Sequence, residues 1–241
     1  QNADFNDTVA KMDAFLVSLG YLSSKETRKD SPMKNAQKHK PFTIIENNSN
    51  LIALTFDDGP NLYTEPILET LQKHQVKATF FQIGERIKKL PELTHRVIAA
   101  GHELGNHSMT HPRLPELETT DAIRKEIKEF QTVAKELTGS APKVFRAPYI
   151  KFDERVWSVL DELGLPAFNA HVWADYKGDR DLNDPTIASA HAQTAAAKVE
   201  SGSIILMHER EITLHYLDEF VAQLTKNGFT FVTLSDLTAP R

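Results

Sequence analysis

The chain contains no cysteine. That absence excludes disulfides, zinc–thiolate sites and cysteine nucleophiles together, yet it names no compartment, because exported proteins can also lack cysteine. Long hydrophobic runs are missing as well. The longest unbroken apolar stretches, such as Leu51–Leu54 and Ile204–Met207, span four residues, against about 20 for a membrane-crossing helix. There is no basic excess either. Against 33 acids stand 28 Lys and Arg, a net charge of −5, which argues against a nucleic-acid footprint over the whole chain. No charged-then-apolar leader is visible, and the opening at Gln1 rather than Met suggests a processed start.

What is present is an ordinary globular composition: 241 residues, 40% hydrophobic and 25% charged. A chain of this length can bury about 70% of its unfolded surface, so it builds a core without staples. The first 45 residues read apart from the rest. Val9, Met12, Phe15, Leu16 and Leu19 lie at helical spacing within Asp7–Leu22, a helix ended by Gly20 and expected to pack its apolar stripe on the main domain. Ser23–Lys40 then carries six bases (Lys25, Arg28, Lys29, Lys34, Lys38, Lys40) against Glu26 and Asp30. A solvated linker explains it, with contact to an anionic surface as the alternative.

From residue 46 to 241 short apolar runs alternate with amphipathic helices. Strands are expected at Leu51–Thr55, Ala78–Ile83, Glu103–Asn106, Lys143–Arg146, Ala167–Trp173, Ser203–Met207 and Phe229–Thr233. Thr64-Glu65-Pro66 is expected to cap and open one helix. Ile123, Ile127, Phe130, Ala134 and Leu137 form the stripe of another, closed by Gly139. Asp153 caps a helix that stops at Gly164, Asp184-Pro185 starts the next, and Gly228 ends the one carrying Leu217, Phe220, Val221 and Leu224. Strands alternating with helices predict a mostly parallel α/β sheet, most simply closed into a seven-stranded barrel, with an open doubly wound sheet as the rival.

In a parallel sheet the chemistry sits where strands end, and the reactive residues here follow the strands. The first strand runs into Asp57-Asp58-Gly59-Pro60. By themselves two acids before Gly-Pro can be a simple turn; the functional reading gives one carboxylate to a cation and the other to base catalysis, since adjacent side chains point apart. The third runs into His107-Ser108-Met109-Thr110-His111-Pro112, where a short helical turn would let both imidazoles meet one metal. With cysteine absent, Asp plus two His is the ligand set a catalytic metal with an open position needs, suiting zinc, with cobalt and nickel also fitting. Arg146 ends the fourth strand, as a surface cation or as a partner that holds a carboxylate. His208 ends the sixth, as a core-edge histidine or as an acid–base group near neutral pH. The remaining histidines, His102 among them, are read as structural or solvated.

Taken together, TFDDGP, HSMTHP, FRAPY and IILMH resemble motifs one, two, three and five of the NodB-homology polysaccharide deacetylases, carbohydrate esterase family 4, over about Leu51 to Leu237. The resemblance implies a distorted (β/α) barrel, to which the Asp7–Leu22 helix adds an N-terminal helical extension. It implies Asp57 as catalytic base and Asp58, His107 and His111 as ligands of one divalent transition metal. Arg146 would orient Asp57, the Tyr149 amide would hold the oxyanion, and His208 would act as general acid. Leu206 would line the acetyl methyl pocket, with Trp173 on the same wall. Motif four departs from the family pattern: Asp175-Tyr176-Lys177-Gly178 is the best match, so Asp175 is expected to support His208, with Asp179 and Asp181 as alternatives. The implied reaction is removal of N-acetyl groups from N-acetylglucosamine-containing glycans, in chitin oligosaccharide, peptidoglycan or poly-N-acetylglucosamine. An O-acetyl esterase acting on xylan and a catalytically dead glycan-binding barrel are the alternatives. A monomer, exported to meet an acetylated glycan and binding no nucleic acid, completes the expectation.

Overall fold

A computed structural model describes residues 39–175 and 184–239. The expected Asp7–Leu22 helix and nearly all of the basic stretch lie outside the described residues. Six strands are formed among those described: β1 (Leu51–Gly59), β2 (Thr79–Gln82), β3 (Glu103–Asn106), β4 (Val172–Trp173), β5 (Ile204–His208) and β6 (Thr230–Val232). They join in parallel in the order β3-β2-β1-β5-β4. β6 pairs with the first residues of β1, Leu51–Ala53, and β2 takes over the same side of β1 from Thr55 onwards.

The expected strand at Lys143–Arg146 shrinks to one bridging residue. Phe145 pairs with Asn106 on one side and with Ala167 on the other, completing the ring between β3 and the segment leading to β4. Proline is the reason. Pro142 and Pro148 bracket the segment and Pro166 lies opposite it, and each removes an N–H that a longer ladder would need. Phe145 keeps two bonds, Phe145 N to Pro166 O at 3.0 Å and Phe168 N to Phe145 O at 2.8 Å. The barrel is closed but distorted.

Helices cover the outside: α1 (Thr64–Lys73), α2 (Gly84–Lys89), α3 (Pro91–Ala99), α4 (Thr120–Thr138), α5 (Glu154–Leu163), α6 (Pro185–Ala196), α7 (Glu211–Leu214), α8 (Leu217–Lys226) and α9 (Leu234–Leu237). Their punctuation follows local chemistry. Thr119 caps α4 by accepting from Ala122 N, and Gly139 ends it in the left-handed region at φ 82°. Asp153 caps α5 through Val156 N, and Asp184 caps α6. Thr64 is not a cap. Its hydroxyl accepts from Asn61 N at 2.9 Å and donates to the buried Glu209 carboxylate instead. No described helix is long and apolar enough to cross a membrane.

Strand alternation sorts β1 and β5 into two faces. Ile52, Leu54 and Phe56, with Ile205 and Met207, meet the helices in one core cluster; burying each such side chain contributes about 1.5–3 kcal/mol. Leu51, Ala53 and Ile204 face the barrel interior with Phe81 and Phe168. Phe42, Ile45, Leu234 and Leu237 pack onto that inner cluster where the strands begin. The same alternation aims Thr55, Asp57, Leu206 and His208 inward at the opposite end, where chemistry can reach them.

Candidate active site

β1 and β5 lie in register, with Asp57 opposite His208 and Thr55 opposite Leu206. Asp57 is 3% exposed and Arg146 is fully buried. Arg146 Nη1 donates to Asp57 Oδ1 at 2.7 Å and to Thr55 Oγ1 at 2.8 Å. Its other nitrogens donate to the carbonyls of Phe168, at 3.3 Å, and Asn169, at 3.1 Å. Phe81 stacks beneath, 4.2 Å from the guanidinium carbon. A buried ion pair needs such complete hydrogen bonding to offset its desolvation. Removing Asp57 would strand a buried cation. Thr55 was not read from the sequence, although its two-residue spacing to Asp57 was the signal that could have found it; the two carbonyls carry no sequence signal.

In a regular strand Asp58 would point away from Asp57. A bulge between Asp57 and Gly59 breaks the register with β2, and Asp58 takes φ 68°. Such bulges re-aim a side chain beside active sites. The Asp58 Oδ1 atom consequently lies 3.5 Å from His107 Nε2 and 3.2 Å from His111 Nε2. The histidine loop is not the helical turn the spacing suggested: Ser108 and His111 each adopt a left-handed backbone, φ 65° and 63°, and the two rings meet with centroids 4.8 Å apart. These conformations cost about 1–3 kcal/mol each, so the surroundings must hold them. Asn106 Oδ1 accepts from Ser108 N at 2.8 Å, and Asn106 Nδ2 donates to Ile127 O of α4 at 3.0 Å. Glu126 of α4 accepts from the Thr110 amide and hydroxyl, both at 2.8 Å. Gly84 N donates to Ser108 O at 3.0 Å, and a side chain there would strike Met109.

The donor set fits a cation. His107 Nδ1 lies 2.8 Å from Arg146 O; a carbonyl only accepts, so Nδ1 carries the hydrogen and the lone pair of the neutral ring sits on Nε2, facing Asp58. Such an outer hydrogen bond is the usual orienter of a metal-binding histidine. Asp58 Oδ1 is itself buried without a hydrogen-bond donor. One donor atom from each of Asp58, His107 and His111 lies within 4.8 Å of the others. Burial alone would push the Asp58 carboxyl up, but when the two rings carry a proton on Nε2 as well, as cations with no metal between them, His107 and His111 outweigh it and hold it well below the usual carboxylate range.

On the other flank, His208 Nδ1 lies 3.0 Å from both oxygens of Asp175, which is fully buried. His208 N donates to Asp175 Oδ2 at 2.6 Å, and Thr213 Oγ1 donates to His208 O at 2.8 Å. Burial works against charge on His208, but the Asp175 carboxylate outweighs it and raises the pKa, with Asp57 adding to the rise and Arg210 opposing it. With Nδ1 engaged, Nε2 is the nitrogen left for a substrate. Asp179 and Asp181 lie outside the described residues. Leu206 is buried opposite Trp173 in the β4–β5 pair. Tyr149, at φ 56°, sets its half-exposed ring 4.8 Å from the His111 ring. His102, read as structural, is buried and accepts from Ala78 N at 3.1 Å. Asn106, Glu126 and Glu209, which shape the loops from behind, were not read from the sequence. Nothing in their spacing marks them except that Asn106 precedes His107 and Glu209 follows His208.

The sequence profile described as polysaccharide deacetylase matches residues 45–168. The peptidoglycan-N-acetylmuramic acid deacetylase PdaC of Bacillus subtilis is 31% identical over 221 residues, covering 88% of this chain and 45% of that protein. Its solved structure superposes with a TM-score of 0.70, covering 79% of this chain and 90% of that one. A peptidoglycan-N-acetylglucosamine deacetylase of Bacillus cereus is 32% identical over 202 residues, covering 80% of this chain and 90% of the relative. A family 4 carbohydrate esterase pseudoenzyme from Bacillus anthracis superposes with a TM-score of 0.74 at 27% identity, covering 83% and 69%. The chain thus spans under half the length of the Bacillus subtilis relative and nine-tenths of the Bacillus cereus one. With this agreement of profile, relatives and barrel, the chain belongs to the polysaccharide deacetylase family.

Proposed function

We propose that the chain hydrolyses N-acetyl groups on N-acetylglucosamine-containing glycans, with peptidoglycan as the substrate its relatives favour, releasing acetate and leaving a free amine. The observation that carries this reading is the convergence, at one end of one barrel, of an Arg-held carboxylate, an Asp-His-His donor set and an Asp-backed histidine. Asp58, His107 and His111 would hold a divalent transition metal, zinc being well suited to that set, which would supply Lewis acidity at the acetamide. Asp57 takes the proton from the attacking water, oriented by Arg146. The Tyr149 amide donates to the oxygen on which negative charge develops; losing one such donor typically costs about 10²–10³ in rate. An amine leaves poorly unless protonated, and His208 Nε2 delivers that proton while Asp175 holds the opposite edge of the ring. Leu206 and Trp173 wall the acetyl methyl group. A wall glycan as substrate implies an exported protein.

Mass spectrometry after incubating the zinc-loaded protein with peptidoglycan fragments, chitin oligosaccharides, poly-N-acetylglucosamine and acetylated xylan tests the reading. A net loss of about 42 Da for each acetyl exchanged for hydrogen on the amino sugars is expected. Deacetylation confined to xylan would make the chain an O-acetyl esterase, and no turnover on any glycan would make it a dead barrel.

A further inference from the structure

The metal-side rim carries a cation that the chemistry above leaves unused. Arg113 follows His111-Pro112, and its guanidinium carbon lies 4.3 Å from the centroid of the Tyr149 ring. That ring is 51% exposed and borders His111. Guanidinium, phenol and imidazole thus form a contiguous row from solvent to the metal ligands, the guanidinium over the phenol face and the imidazole tilted against that ring by 56°. Stacking occupies the face of a guanidinium and leaves its N–H edge free for a planar carboxylate. Arg113 has one ion pair among the described residues, Nε to Glu116 at 3.8 Å, between side chains 46% and 72% exposed; such a pair competes weakly. The backbone is strained to present this ring, since Tyr149 and Ile150 both lie in the left-handed region, φ 56° and 54°. The chain as a whole is net negative, at −5, so an anionic substrate needs a local cation to hold it.

We propose that Arg113, propped on Tyr149, determines specificity by binding a carboxylate on the glycan beside the acetamide, as on the lactyl group of N-acetylmuramic acid. The substrate class is then a carboxylate-bearing acetylated glycan rather than a neutral chitin-type chain. The inference rests on the deacetylase reading above. The contacts of Arg113 are with the Tyr149 ring and Glu116 rather than with the donor atoms of the metal ligands, so its contribution is to binding rather than to the chemical step.

Acetate release by the metal-loaded chain tests this with three peptide-free tetrasaccharides. One is an N-acetylglucosamine oligomer, one alternates N-acetylglucosamine with N-acetylmuramic acid, and one is the alternating chain with its lactyl carboxylates methyl-esterified. Arg113→Gln should raise KM for the free-acid chain about fivefold, as expected for a half-exposed charge pair, with kcat held within about twofold. The neutral and esterified chains should not respond. Raising the salt should weaken the parent's preference, because exposed pairs are screened. An equal loss on all three substrates would overturn the inference and make Arg113 a prop for Tyr149. An unchanged KM on the free-acid chain would overturn it as well. Acetate from none of them by the parent protein would instead remove the deacetylase reading, and this inference with it.

Discussion

Glu209 offers the sharpest test of how the site is supported. It directly follows His208, is 3% exposed, and its Oε1 is buried without a partner. Its other oxygen accepts from the Thr64 hydroxyl, and Gly59 lies so close that a side chain there would overlap the carboxylate. Burial, reinforced by Asp58 and only partly offset by Thr64, Arg86 and Gln82, pushes the Glu209 carboxyl up from its usual 4.5 to about 8. The folded pKa is the higher one, so the stability it contributes is complete below about 4.5 and is lost as pH rises towards about 8. Each pH unit inside that window is worth about 1.4 kcal/mol, so between pH 5 and pH 7.5 the loss is about 3 kcal/mol, set against about 5–15 for a whole domain. Glu209→Gln keeps the shape and the acceptor for Thr64 but cannot ionise. The stability difference between variant and parent should therefore swing towards the variant by about 3 kcal/mol across that range. Urea unfolding of both proteins in chelator, at closely spaced pH values, measures it without metal linkage. Parallel stability curves would refute the reasoning, because a carboxyl already ionised in the folded state has nothing to lose.

Asp57→Asn should keep its metal by elemental analysis and lose about 10²–10⁴ in kcat, since an amide cannot take the water proton; equal loss of metal would instead make Asp57 a ligand. His111→Ala should lose most bound metal and activity together, and full retention of metal would remove His111 from the donor set. Asp175→Asn should let the His208 pKa fall, because the carboxylate that raises it is gone. The alkaline limb of kcat/KM should then move to lower pH, and amides should slow more than activated esters. An unchanged pH profile would leave Asp175 as a structural acid only.

What the sequence determined by itself is local. Two-residue alternation is written into β1 and β5, so Thr55, Asp57, Leu206 and His208 share a face wherever those strands sit. Thr119, Gly139, Asp153 and Gly164 set helix ends through bonds and dihedrals within a few residues of themselves. The motif order likewise placed the reactive groups at strand ends. Tertiary structure decided everything that depends on register or on an imposed dihedral. Asp57 and Arg146 are 89 residues apart and meet only because the barrel closes through Phe145. Asp58 turns to the histidines through a bulge, and Ser108 and His111 hold left-handed backbones that their own side chains disfavour. Those costs are met by α4 and α2, whose contacts with the loop no local pattern announces. The prolines around Phe145 could be read, but not how far they shorten a strand, since that depends on which neighbours still offer partners. The contact between Asp175 and His208 arises for the same reason: a carboxylate's partner is set by where two chain segments pack, and that is a property of the assembled barrel.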